Sequence, residues 1–198
     1  MINLLEEESM TVEEFLSSPD IHPKSEYLNG RVDEFVVNSN SHVNIQVRLI
    51  LILGGLLELK HPSFQLKGET FGIKTAGNRI YMPDITVIPA GGDHELSIPY
   101  EGGIEFAAEI LSRHSVYKDT RVKYLDYLKH GVKEYWIVNP DIRIIDVYLL
   151  EDGKYVSRNF VAGEIIDAGM FAADGIPVDL IYDRTLSVIE FMNHQRNT

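Results

Sequence analysis

The run Phe106-Ala107-Ala108-Glu109-Ile110-Leu111 constrains the fold more than any other stretch of this sequence. It is short and almost wholly apolar, so Ile104–Leu111 reads as a buried central strand rather than an amphipathic helix. The carboxylate inside it is the problem: an ionised carboxylate taken out of water needs a partner, a hydrogen-bond network or a metal. Asp84 poses the same problem in Met82-Pro83-Asp84-Ile85-Thr86-Val87-Ile88, directly ahead of a strongly β-prone run. Two outcomes are open for each residue, an edge position or a buried pair with lysine on one side and a hard-cation site on the other. Two such carboxylates on adjacent strands with a lysine nearby favour the cation, and oxygen ligands alone favour Mg²⁺ or Mn²⁺ over zinc.

The surrounding pattern is that of one α/β domain with a mixed sheet. Thr11 and Glu14 form the sequence signature of a capping box ahead of a short helix that Pro19 ends. Glu26 to Val32 reads as a hairpin turned by Asn29-Gly30. A helix is predicted from about His42 to Lys60. It is apolar on most faces, so it is either buried centrally or partly covered by a second subunit. Strands are expected at Phe64–Lys67, Phe71–Lys74 and Tyr81–Ile88, with a turn at Gly77-Asn78 and a loop at Gly91–Glu95. A helix over about Asp119–His130 closes at Gly131, followed by strands at Glu134–Asn139 and Ile142–Leu150. The turn-rich tail should add edge strands and a short terminal helix.

Composition removes several function classes. The 198 residues are enough to bury roughly 70% of the unfolded surface in one domain. With no cysteine there is no disulfide framework, thiolate zinc site, iron–sulfur cluster or cysteine nucleophile. The seven histidines show no metal-ligand spacing, and no phosphate-binding or dinucleotide-binding glycine motif occurs. The acidic start and the interrupted apolar run Ile45–Leu59 lead us to expect no export signal, no membrane span and a cytoplasmic protein.

A net charge of −12 argues against a general polyanion binder. The charge is uneven, however: residues 113–133 carry Arg113, Lys118, Arg121, Lys123, Lys129 and Lys133 against Asp119 and Asp126, a local +4. That segment is either a solvated basic helix or the place where nucleic acid would touch. Asp119, Lys123 and Tyr127 recur at four-residue spacing along one helix face. The aliphatic stripe Val122, Leu125 and Leu128 points elsewhere, so periodicity alone leaves Lys123 free to sit in solvent beside Asp119.

Taken in order, Glu26-Tyr27-Leu28-Asn29-Gly30, Pro83-Asp84-Ile85, Glu109-Ile110-Leu111-Ser112 and Asp119-x-x-x-Lys123-x-x-x-Tyr127-x-x-x-Gly131-Val132-x-Glu134-Tyr135-Trp136-Ile137-Val138-Asn139-Pro140 resemble the Uma family. These are restriction endonuclease-like proteins of the PD-(D/E)xK nuclease superfamily, and the resemblance runs from about Thr11 to Asp183. It implies a restriction-endonuclease-like α/β core, a mixed sheet flanked by helices in a single domain over 1–198. The core would span about 11–183, with 1–10 and 184–198 peripheral. It further implies an Mg²⁺- or Mn²⁺-dependent DNA endonuclease with Asp84, Glu109, Lys123 and Glu26 as catalytic residues. Asp84, Glu109, the Ile110 carbonyl and Glu26 would hold the metal.

Two positions after Glu109, where many superfamily members place lysine, stands Leu111. In the Uma pattern that lysine has moved to the following helix, where Lys123 matches it. This chain departs from the pattern at Arg113-His114 and at Asn139. Arg113, His114 and Lys118 are candidate phosphate contacts. The alternative is a catalytically inactive nuclease fold that serves as a binding or assembly module, a homodimer through the 42–60 helix. A third reading is a nuclease acting on RNA or on modified or branched DNA.

Overall fold

The computed structural model describes residues 9–34, 36–75, 77–91 and 99–197, so Gly92–Glu95 of the expected loop lie outside the described residues. Helix α1 (Val12–Ser17) has the expected capping box: the Glu14 N–H donates to Thr11 Oγ1 (3.2 Å) and the Thr11 N–H to Glu14 Oε2 (2.7 Å). Strands β1 (Glu26–Leu28) and β2 (Arg31–Asp33) pair through Asn29-Gly30, whose φ values of 51° and 94° suit the two-residue hairpin turn.

Helix α2 (Asn40–Lys60) starts at the Ser39 cap and leads into β3 (Phe64–Gly68). Short strands β4 (Ile73–Thr75) and β5 (Arg79–Tyr81) follow, then β6 (Ile85–Pro89). The single strand expected over Tyr81–Ile88 is therefore two. Pro83 has no N–H to give a ladder, and the chain leaves one sheet at Tyr81 and enters another at Ile85. Among the described residues the strands form a four-stranded sheet in the order β2-β1-β5-β4, where the sequence pattern suggested one continuous sheet.

After β7 (Phe106–Ile110), a π-helical stretch Lys118–Lys123 runs directly into α3 (Tyr124–His130), which ends at Gly131 with φ 85°. Strands β8 (Glu134–Asn139), β9 (Ile144–Glu151) and β10 (Lys154–Phe160) complete a six-stranded sheet, β10-β9-β8-β7-β6-β3. Only β7 and β8 pair in parallel within it, so the sheet is mixed as expected. The tail adds a ribbon of β11 (Ile165–Ile166) and β12 (Ile176–Pro177), then α4 (Val178–Tyr182) and α5 (Val188–Gln195). Val188, Phe191 and Met192 of α5 pack on the core, so the terminal helix is part of the fold rather than peripheral to it.

Both faces of the large sheet are covered, which is why its central strands read as continuous apolar runs. On one face Phe106, Ala108 and Ile110 meet Leu49, Ile52, Leu53 and Leu56 of α2. On the other, Ala107 joins Tyr81, Tyr127, Tyr135 and Ile137. Burying each such large side chain stabilises the fold by roughly 1.5–3 kcal/mol before entropy is counted. Helix α2 is long and apolar enough to cross a bilayer, but here its inner face is spent on the sheet.

Candidate active site

Strand pairing brings the two problem carboxylates together. Ile85 lies opposite Ala108 in the antiparallel β6–β7 pair, so the next step of the same register sets Asp84 against Glu109. The Ile110 N–H donates to Asp84 Oδ2 (2.7 Å) and ties the two strand ends. Both carboxylates are buried, along with Glu26, Asp119 and Lys123.

Glu109 faces the side of the sheet that carries α3. Its Oε1 accepts from Lys123 Nζ and from Tyr127 OH, each at 2.8 Å. Its Oε2 accepts from no described residue, and Glu109 lines a cavity of about 140 Å³. Lys123 is 2% exposed and so is not the solvated partner that periodicity allowed. Its ammonium lies 2.8 Å from Glu26 Oε1, 2.8 Å from Glu109 Oε1, 3.5 Å from Asp119 Oδ1 and 5.6 Å from the centre of the Tyr81 ring. Leu125 of the aliphatic stripe is instead 51% exposed. A π-helical turn rotates the following residues relative to an α-helix, so spacing read at 100° per residue misplaces the inward face.

Glu26, expected among the metal ligands, has both oxygens engaged by ammonium groups: Lys123 on Oε1 and Lys118 on Oε2, each at 2.8 Å. The Met82 N–H also donates to Oε1 (3.0 Å). A cation at Glu26 would have to share its oxygens with two ammonium groups. Lys118 also donates to Asp33 Oδ2 (2.6 Å), so its charge is already matched by carboxylates. His114 is exposed and borders the cavity, whereas Arg113 is exposed outside its lining.

Of the carboxylates that share Lys123, Glu26 and Glu109 shift in opposite directions. Burial alone would raise Glu26, but Lys123 and then Lys118 outweigh it and hold its pKa below the ordinary value. Burial pushes Glu109 well above the ordinary value; Lys123 opposes this, while Asp119, Asp84 and Glu26 add to it. The difference is one lysine against two. Lys123 itself is raised well above an ordinary lysine, since Glu109, Glu26 and Asp119 outweigh its burial.

The sequence reading missed His42 and Gln46. His42 Nε2 lies 3.0 Å from Asp84 Oδ1, and Gln46 Nε2 donates to the Asp84 carbonyl (3.2 Å). The signal was present: positions 42, 46, 49, 53 and 56 form one helix stripe whose last three members are leucines, so two polar residues at its start needed a reason.

The donor set suits a hard divalent ion. Among the described residues no three carboxylate or imidazole groups converge closely enough to enclose a cation. Asp84, Glu109 with its unbonded Oε2, and Ile110 all line the cavity and are the residues that would offer oxygens to such an ion. Few protein oxygens and several places left for water and phosphate oxygens is the Mg²⁺ arrangement. The cavity lining also carries seven carboxylates against three lysines, so a phosphate would be repelled unless a cation joined it.

The profile of the Uma2 family, described as "putative restriction endonuclease", matches residues 12–179. Among solved structures the chain is similar to "a putative nuclease belonging to DUF820" from Anabaena variabilis, with a TM-score of 0.73. The two share 22% identity, and the match covers 89% of this chain and 99% of that one, a likeness of fold. No curated protein matches significantly. The family profile runs from α1 to the start of α4 and takes in every residue of the carboxylate–lysine cluster, so the chain belongs to the Uma2 family of restriction endonuclease-like proteins.

Proposed function

We propose that this chain is a metal-dependent endonuclease hydrolysing DNA phosphodiester bonds at the Asp84–Glu109 cavity. The observation that carries the reading is the approach of Asp84, Glu109 and Lys123, from three separate elements, to one acid-lined cavity. Asp84, Glu109 and the Ile110 carbonyl would hold Mg²⁺ or Mn²⁺. Such an ion, when bound, supplies Lewis acidity toward water and the scissile phosphate.

The protein's own groups do the rest. Lys123 and Tyr127 fix Glu109 through one oxygen and leave the other for the cavity. The Lys123 ammonium, held in a nearly water-free setting, offsets charge that develops on phosphate. Glu26 serves through Lys123, keeping it in place rather than acting as a ligand. The exposed Arg113 and His114 are the groups left to meet the DNA backbone, since Lys118 is already paired. Asp84→Ala and Glu109→Ala should each abolish Mg²⁺-dependent cleavage of plasmid DNA while circular dichroism stays at the parent's. Cleavage by both at the parent's rate would remove the assignment. A panel of duplex, nicked and single-stranded DNA with RNA fixes the substrate class.

One observation favours the assembly reading. Val43, Val47 and Leu51 form a stripe on the outer face of α2, exposed by 44%, 50% and 55%. Pairing of two copies there is compatible with the enzyme or with an inactive module. Mn²⁺ titration separates the last two, because a module needs no carboxylate-dependent metal binding.

A further inference from the structure

We infer that His42 is the positioning residue for the Asp84 carboxylate, with Gln46 one turn later holding the same residue's backbone. The inference rests on the metal-dependent reading above.

His42 and Gln46 are both buried and one helical turn apart, on the face that continues as Leu49, Leu53 and Leu56. Nothing in an apolar core calls for an imidazole and an amide there, and burying either is costly unless its hydrogen bonds are made. Both are directed at the same residue. His42 Nε2 meets Asp84 Oδ1 at 3.0 Å, and Gln46 Nε2 donates to the Asp84 carbonyl at 3.2 Å. From the opposite side, the Ile110 N–H donates to Oδ2 at 2.7 Å.

The carboxylate is thus gripped at one oxygen by the His42 side chain and at the other by the Ile110 backbone N–H, and the residue's backbone carbonyl is held by a second side chain, that of Gln46. A carboxylate only accepts, so Nε2 must carry the ring proton. That leaves Nδ1, buried and with no partner among the described residues, on a ring that borders the cavity. The orientation of Asp84 is then set by the helix. A ligand carboxylate with a hydrogen-bonded outer partner is held in one geometry, and loss of such a partner lowers metal affinity by roughly 10- to 100-fold.

The test compares two amides that differ in reach. Gln places its amide nitrogen near the position of Nε2, whereas Asn reaches only as far as Nδ1. Full-length parent, His42→Gln, His42→Asn and Asp84→Ala are titrated calorimetrically with MnCl₂. Plasmid cleavage and thermal melts run alongside. We expect His42→Asn to bind Mn²⁺ at least about tenfold more weakly than the parent, and His42→Gln to recover most of the loss. Asp84→Ala should bind none. Equal Mn²⁺ affinity in the parent and His42→Asn overturns the positioning role and leaves the nuclease reading standing. So does a His42→Gln variant as weak as His42→Asn while both melt like the parent. A parent that binds no Mn²⁺ removes both claims. If His42→Asn fails to fold, His42→Gln against the parent still decides. A donor-preserving variant that folds but loses tenfold in affinity overturns the inference, and one within about threefold supports it.

Discussion

Replacing Lys123 by methionine keeps the volume of a buried side chain and removes its charge, and the structure sets both size and pH dependence of the outcome. The ammonium is shared by Glu26, Glu109 and Asp119, all buried. Without it Glu26 keeps Lys118, whereas the other two keep no cation in contact among the described residues. Breaking a buried pair by removing one partner costs about 3–5 kcal/mol when the stranded charge remains. At pH 8 the parent has the full benefit: Lys123, raised above 10.5, is protonated, and Glu26, lowered below 4.5, is ionised.

Lys123 loses its contribution only as pH climbs through its raised pKa, and Glu26 loses its own only as pH falls through its lowered one. In Lys123→Met, Glu109 and Asp119 stay raised, with burial no longer opposed by a lysine. Protonation then relieves the variant as pH falls, so its deficit should be largest at pH 8 and smaller at pH 5.5. With a urea dependence of roughly 2 kcal/mol per molar, the midpoint followed by circular dichroism should drop by roughly 1.5–2.5 M at pH 8. Lys123→Met/Glu109→Gln should recover part of this loss. Equal midpoints for parent and variant at pH 8 would refute the buried cluster. A drop of the same size at both pH values would mean that lost packing, not stranded charge, is responsible.

Glu134 lies away from the cavity and accepts from Trp136 Nε1 and the Met170 N–H, each at 2.6 Å; burial raises its pKa to about 7. A raised carboxylate stabilises below its unfolded value of 4.5 and loses that contribution up to about 7, so stability should fall by roughly 3 kcal/mol across this window and Glu134→Gln should remove the decline. Gly169, at φ 73°, lies under the same carboxylate, and a Cβ there would land on it. Gly169→Ala should cost at least about 1–2 kcal/mol by thermal melt, since strain and collision add. Moving the lysine to the strand, as Leu111→Lys with Lys123→Met, should restore part of the pH 8 stability and of the Mg²⁺-dependent cleavage, both absent in Lys123→Met alone.

How far the site could be read from the chain depended on which rule each residue obeys. Asp84 and Glu109 stood out because a carboxylate in a β-prone apolar run contradicts its surroundings, and the β6–β7 register puts them opposite one another. The hairpin and capping box were legible because they are set by a few neighbouring residues. Lys123 was not legible from periodicity, since the π-helical turn breaks the angle that periodicity assumes. The split of Tyr81–Ile88 between two sheets depends on tertiary pairing, and only Pro83 hinted at it. The two lysines on Glu26 were not legible, since the sequence does not reveal that Lys118 and Lys123 both reach it.

The placing of the lysine on a helix has a physical consequence for how the site is tuned. Strand alternation puts Leu111 on the same face as Glu109, and it packs there against the cluster of Tyr81, Ala107 and Tyr127. A lysine at 111 would project from the strand that carries Glu109 and move only with it. From the helix, Lys123 comes with Asp119 one turn earlier and Tyr127 one turn later, so a single element delivers a cation, a counter-charge and a second donor to Glu109. Glu26 then pulls on the same ammonium from the small sheet. The charge state of Glu109 therefore depends on how three separate elements pack together, and a shift of any one of them by about an ångström would lengthen 2.8 Å contacts that oppose its burial. An acidic cavity built this way stays poised for a cation only while the packing around Tyr81, Tyr127 and Tyr135 holds the helix against the sheet. On the proposed function, the aromatic cluster would therefore influence metal binding as well as stability, reaching Glu109 through Tyr127.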